Sequence, residues 1–294
     1  VLFRKITIIG VGLLGGSIAL AVRQRGLAAE IAGYVRNERA VADCEKFGAT
    51  DYATTDLLAA VSQADLVILG TPLAQMPALV ERFLPAIKPG TIVTDVGSVK
   101  GGVVRQLEPL IKKAGSYFIG SHPMAGAEKT GLAAARAQLF QNAVCVVTPT
   151  KRSPAAAVRK LTRFWRALGM RVLFLDTARH DFLVGRSSHL PHVLASALAA
   201  LVLDPKQPKQ QAALCASGFR DTTRIASGSP EMWRDIALAN PKNLVKSLDN
   251  YMNELKKFQL ALKTSNAAAI ERFFLRAKLR RDLWCDNGIG NVAE

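Results

Sequence analysis

The sequence predicts an α/β domain built on a mostly parallel sheet, followed by an all-helical domain. Three observations point there. Short β-rich runs alternate with helical stretches up to residue 176, no convincing strand follows, and a glycine-rich turn joins the first strand to the first helix. The expected strands are "KITIIG" (5–10), "IAGYV" (31–35), "LVILG" (66–70), "TIVTDV" (91–96), "YFIG" (117–120), "AVCVVTP" (143–149) and "RVLFLD" (171–176). Strands alternating with helices such as "GSIALAVRQRG" imply βαβ units, and their near-continuous apolarity is what burial on both faces requires. From Arg179 onward, helical segments cover 177–203, 210–227, 230–239, 241–262 and 266–284, broken by "DPKQPKQ", "SGSP" and "NP". Proline in "SPEMW" and "NPKNL" marks helix starts, where a missing N–H costs nothing. The expected domains are therefore 1–176 and 177–294.

Composition narrows the class. A chain of 294 residues with 49% apolar residues can bury a core in each of two domains. No run of about 18 apolar residues lacks charge, so neither a membrane span nor a cleaved signal is expected. Cys44, Cys145, Cys215 and Cys285 are scattered and form no C-x-x-C. They read as reduced thiols of a cytoplasmic protein, with no disulfide frame and no metal site. The net charge of +16 is spread over both halves of the chain. Such a field draws anionic small ligands as well as nucleic acid, and no zinc-finger, RRM or aromatic–basic pattern supports a nucleic-acid partner.

"ITIIGVGLLGGSIA" carries Gly10, Gly12 and Gly15 as G-x-G-x-x-G between the first strand and a helix. Gly10 permits the tight turn, Gly12 lets a pyrophosphate approach the main chain, and Gly15 lets helix and strand pack closely. The free N–H groups of the helix then face the anion. This predicts a Rossmann-type dinucleotide-binding domain, with Leu13, Leu14, Thr71 and Pro72 also expected beside the cofactor. At the end of the second strand, "GYVRNERA" puts Val35 and Arg36 where an NAD-selective site places an acid. A guanidinium there suits a 2′-phosphate, so NADP is expected over NAD. A solvated loop arginine fits the same letters.

"GVGLLGGS", "DVGSVK" (95–100), "GSHPMAG" (120–126), "SHLPH" (188–192) and "GFRDTTRIASGSPEMW" (218–233) succeed one another along the chain. Together they resemble the prephenate/arogenate dehydrogenases of tyrosine biosynthesis, in order and spacing over nearly the whole chain. The resemblance implies a nucleotide-binding domain followed by a helical dimerisation domain, and hence a homodimer. It implies NAD(P)-dependent oxidative decarboxylation of prephenate, arogenate or both. In that reaction hydride leaves C4 of a cyclohexadienol, a base takes the 4-hydroxyl proton, and loss of CO2 from C1 makes the ring aromatic. The site needs a proton acceptor, cationic clamps for carboxylates and a nicotinamide over the ring.

The motif assigns His122 to the 4-hydroxyl and Ser98 to a place near both. An imidazole titrates near neutrality, which suits the acceptor. Ser188 and His192 match family residues facing the substrate; His189 fits a packing role equally, and His180, outside every motif, reads as structural. Arg220 and Arg224 stand four apart, so a helix puts them on one face. The resemblance makes Arg224 the main carboxylate clamp and Arg220 a basic partner. Trp233 matches a tryptophan near the substrate, and a buried packing aromatic fits as well. Glu128 matches an acid near the pocket entrance, although Ala127 stands before it where some relatives have Thr. Family members often carry a fused mutase or regulatory domain, for which this chain has no room. Other two-domain Rossmann dehydrogenases share the glycine loop without "GSHPMAG". A non-catalytic dinucleotide sensor or nucleic-acid binder would instead use the basic surface.

Overall fold

The computed structural model describes residues 1–126 and 130–286. The chain forms two compact units, Val1–Asn243 and Leu244–Glu294. The first begins with β1 (Phe3–Ile9), α1 (Leu13–Gln24), β2 (Ala28–Tyr34), α2 (Glu38–Phe47), β3 (Tyr52–Thr54), α3 (Leu57–Val61), β4 (Leu66–Leu69) and α4 (Met76–Phe83). It continues with β5 (Ile92–Asp95), α5 (Gly101–Lys113), β6 (Tyr117–Phe118), β7 (Gly120–Pro123), β8 (Val144–Thr148), α6 (Ala155–Ala167) and β9 (Arg171–Phe174). After β9 every regular element described is helical: α7 (Thr177–Val184), a π-helical turn (Gly185–His189), α8 (Leu190–Val202), α9 (Lys209–Ala213), α10 (Ser217–Thr223), a 3-10 turn (Arg224–Ser227) and α11 (Pro230–Ala239). Two long helices, α12 (Pro241–Lys263) and α13 (Ala267–Asp286), come last. Among the described residues no helix is long and apolar enough to cross a membrane.

Six strands form a parallel sheet in the order β3-β2-β1-β4-β5-β6. Alternation along its strands explains their continuous apolarity. Ile6, Ile8, Leu66 and Ile68 enter one core with Ile18, Phe164 and Trp165. Their neighbours Ile9, Val67 and Leu69 enter a second core with Phe83, Leu107 and Ile111. Each such side chain contributes about 1.5–3 kcal/mol by leaving water. The strand order reverses between β1 and β4, and the crevice at their carboxyl ends is where open α/β sheets bind ligands.

Three elements depart from the sequence reading. β3 is not among the expected strands; its three residues pair with the edge of β2. The segment 210–227, expected as one helix, is split into α9, α10 and the 3-10 turn. The strand expected over 117–120 is two strands. β6 closes the large sheet, whereas β7 pairs antiparallel with β8 in a separate sheet of order β7-β8-β9. The chain changes sheets at Ile119–Gly120, where space is too tight for a side chain: a Cβ on Gly120 would lie 2.6 Å from Thr148 Oγ1. His122 consequently sits within a strand, opposite Val146, rather than beyond the end of one.

Candidate active site

The glycine loop lies at the strand-order reversal. Gly10 has φ +92°, and a Cβ there would meet Thr71 Cγ2 at 2.9 Å. A Cβ on Gly15 would sit 2.1 Å from the Gly10 carbonyl oxygen, so only glycine lets α1 pack this close to the turn. Gly12, by contrast, has nothing within 4 Å of its missing side chain. It caps α1 without a side-chain hydrogen bond, and the first turn has no acidic residue. Leu13 and Leu14 open that helix. An open approach to free main-chain N–H groups suits a pyrophosphate. Across the crevice, the Thr71 hydroxyl, just before Pro72, is buried with no hydrogen-bond partner. A dinucleotide in this crevice fits these residues. Arg36 and Arg39 are exposed beyond β2, while Val35 is buried in the core beneath them.

His122 is buried, and its Nδ1 lies 2.9 Å from Nε2 of His180, a fully buried residue of α7. His180 Nδ1 is in turn 2.8 Å from Asp181 Oδ1. Asp181 accepts the Lys100 N–H at 2.7 Å and the Gly101 N–H at 2.8 Å, at the start of α5. Burial raises the Asp181 carboxyl, but the bonds from His180, Lys100 and Gly101 outweigh it and hold it below the usual carboxylate value. Burial, and then the nearby His180, Lys100 and His189, hold the His122 imidazole well below its ordinary value. At neutral pH it is uncharged, as a proton acceptor must be. His180, which reads as structural in the sequence, is the residue the fold brings against His122. The only signal in the sequence is the dipeptide His180–Asp181, and two such letters on a helix are unremarkable without the fold.

"DVGSVK" builds the floor. Asp95 and Lys100 pair with no exposure of either side chain. Asp95 accepts the Gly97 N–H at 2.9 Å, and the Ser121 N–H at 3.2 Å. Lys100 Nζ donates to the Ser121 carbonyl at 2.9 Å. The Ser121 hydroxyl is fixed by Thr94 at 2.8 Å and by the Trp165 indole N–H at 3.0 Å. The loop carrying Ser98 and the strand carrying His122 are therefore tied together through one buried ion pair. Ser98 itself is half-buried.

From the helical half, the π-helical turn carries half-buried Ser188 and buried His189. Such turns are frequent at functional sites. The His189 Nδ1 is 3.3 Å from Asn240 Nδ2, whereas its Nε2 is buried without a hydrogen-bond partner. Burial lowers the His189 pKa to about 4, against the pull of Asp181. His192 stacks on Trp233, with centroids 3.5 Å apart and planes at 16°. Burial lowers its pKa as well. Gly228 makes the stack possible, since a Cβ there would be 2.8 Å from Trp233 Nε1. Arg220 and Arg224 are both exposed. Their expected common helix face does not carry through: α10 ends at Thr223, and Arg224 opens the 3-10 turn that tightens the chain ahead of Gly228 and Pro230. Glu128 lies outside the described residues.

Comparison with known proteins agrees with this geometry. Residues 18–174 match the family model for the prephenate dehydrogenase nucleotide-binding domain, and residues 176–276 match that for the prephenate dehydrogenase dimerization domain. The chain is similar to cyclohexadienyl dehydrogenase of Zymomonas mobilis, with 32% identity over 98% of each chain. It is 35% identical to prephenate dehydrogenase of Bacillus subtilis over 94% of this chain and 75% of that one. Among solved structures, prephenate dehydrogenase from A. aeolicus, in complex with hydroxyphenyl propionate and NAD+, superposes with a TM-score of 0.88 at 30% identity, covering 95% of this chain and 97% of that one. Synechocystis arogenate dehydrogenase superposes with a TM-score of 0.80 at 31% identity, covering 95% and 99%. With a Rossmann-type domain and a helical half, each matched by its family model, the chain belongs to the prephenate dehydrogenase family.

Proposed function

We infer that this chain catalyses the NAD(P)-dependent oxidative decarboxylation of prephenate, arogenate or both, with His122 as the proton acceptor at the 4-hydroxyl. The observation that carries the reading is the engagement of His122 Nδ1 by His180. It leaves Nε2 as the nitrogen for a substrate, on an imidazole kept neutral by its surroundings. The nicotinamide, when bound, supplies the hydride acceptor. Ser98 shares the hydroxyl with His122, and the buried Asp95–Lys100 pair holds the two in register. Ser188, His192 and Trp233 flank the ring, and Arg224, with Arg220 beside it, takes a carboxylate through two parallel hydrogen bonds. Loss of CO2 requires no further acid once the hydride has left, because aromatisation drives it.

The nucleotide domain of this reading is 1–176 and the substrate and dimerisation domain 177–294, a division supported by the spans of the two family models. NADP is the proposed cofactor, because Arg36 stands where an acid would select NAD. A homodimer is proposed through the helical half. The test is NAD(P)H production from prephenate and from arogenate, each with NADP and NAD. His122→Asn should lower kcat by roughly a hundredfold or more with KM largely kept. Near wild-type turnover would place the base elsewhere. Arg224→Ala should raise KM with a smaller change in kcat, and an unchanged KM removes it from the clamp.

A further inference from the structure

We propose that His180 and Asp181 are positioning residues for the base: they fix His122 as the tautomer protonated on Nδ1, and they take up the charge that forms when Nε2 accepts the substrate proton. The proposal rests on the reading of His122 as the base.

Counting donors leads to this assignment. Both Asp181 oxygens accept main-chain N–H groups, Lys100 on Oδ1 and Gly101 on Oδ2. Bonds from His180, Lys100 and Gly101 hold the Asp181 carboxyl below the usual carboxylate value, so it is ionised and accepts on both oxygens. The contact of 2.8 Å to His180 Nδ1 is then a bond that His180 donates. Taken with a single N–H, His180 has a lone pair on Nε2. The nitrogen 2.9 Å away, His122 Nδ1, must be the donor. Nothing remains on His122 Nε2 but its own lone pair, which is the state a base needs. The other tautomer would point an N–H at the substrate hydroxyl.

The surroundings are built for this. The two amides belong to the start of α5, whose N-terminal end favours a negative charge. Gly101 has no side chain because a Cβ would lie 2.8 Å from Asp181 Oδ2. Asn240 Nδ2 holds the Asp181 carbonyl at 2.7 Å. His180 has no exposure, so water cannot substitute in the chain. The proton balance closes within these residues. The substrate O–H breaks as the His122 Nε2–H forms, and the Nδ1 proton crosses to His180 Nε2. His180 is left as an imidazolium against the Asp181 carboxylate. Keeping the positive charge off His122 matters because Lys100 and His189 face it, with Asp95 already committed to Lys100.

The test starts with the wild-type, full-length protein. 15N NMR of histidine-labelled enzyme at neutral pH should show His122 and His180 both protonated on Nδ1. His180→Phe, which removes the acceptor, should lower kcat by roughly 10^2–10^4, the range expected when a catalytic histidine loses its tautomer. KM and cofactor Kd should stay within about threefold. His180→Gln, whose amide oxygen can accept the same bond, should recover part of kcat, a pattern that a merely structural histidine would not give. A wild-type spectrum with His122 protonated on Nε2 overturns the proposal, even if the variants fail to fold. So does an unchanged kcat in His180→Phe, or a loss confined to KM. Turnover retained in His122→Asn would instead overturn the base assignment, whatever the tautomer.

Discussion

Lys100 and Asp95 form an ion pair in which neither side chain has any exposure, and the same lysine holds the carbonyl of Ser121, next to His122. Breaking a buried pair by removing one partner leaves an uncompensated charge, at a cost of roughly 3–5 kcal/mol. Lys100→Met should therefore lower the unfolding free energy by about that much in urea titrations. Asp95→Asn with Lys100→Met should lose less than the sum of the single changes, because no charge is left stranded. Additive losses would mean that the two do not act as a pair.

The buried histidines make stability depend on pH. His189 titrates at about 4 in the folded chain against an ordinary 6.5, so between those values the unfolded chain binds the proton first. Its contribution is fully present above 6.5 and is lost as pH falls from 6.5 through about 4. The amount is on the order of 3 kcal/mol. His122 and His192 are lowered too and act in the same direction. Urea midpoints of the wild type should drop between pH 7 and pH 5, and His189→Gln should have a shallower slope. An identical slope in the variant would show that His189 protonates freely when folded.

The proposed preference for NADP rests on one loop. In that reading an Arg36–phosphate contact on the exposed loop would be worth about 1–3 kcal/mol, or roughly ten- to a hundredfold in Kd. Arg36→Ala should weaken NADP by that factor while leaving NAD nearly unchanged, measured by fluorescence titration. Tenfold tighter binding of NAD to the wild type would show that Arg36 points to solvent. Placing the missing acid at Val35 is not a clean converse, because that side chain is packed in the core.

Assembly should respond to the last helix. No side chain of α13 is buried, and Phe274, Leu283 and Trp284 are 57%, 62% and 57% exposed. An exposed apolar set of this kind marks a contact surface. Leu283→Glu with Trp284→Glu should shift the sedimentation of the chain from dimer toward monomer at micromolar concentration. A wild-type monomer over that range would remove the dimer reading.

The sequence determined the class of each half and the location of the cofactor crevice, for physical reasons that are local. Continuous apolar runs between helices specify a buried parallel sheet wherever they occur, and Gly10 is required by its own positive φ and Gly15 by the Gly10 carbonyl five residues before it. The motif around His122 is local in the same way. Relationships across the chain were not legible in it. "YFIG" reads as one strand because the break at Gly120 is set by Thr148, on a strand it meets only after folding. The regular spacing of Arg220 and Arg224 ends in a tighter turn, which leads the chain into Gly228 beneath Trp233 and on to Pro230 at the start of α11.

His180 shows the division most directly. In the sequence it stands 58 residues from His122, with no motif around it. Hydrogen bonds are short and directional, so a histidine acquires a role only when a donor or acceptor is brought within about 3 Å. Sheet pairing places His122, the start of α5 supplies the amides for Asp181, and α7 carries His180 between them. The sequence by itself pointed to His122 and to the glycine-rich turn; only the tertiary structure brought His180 against Nδ1 of His122.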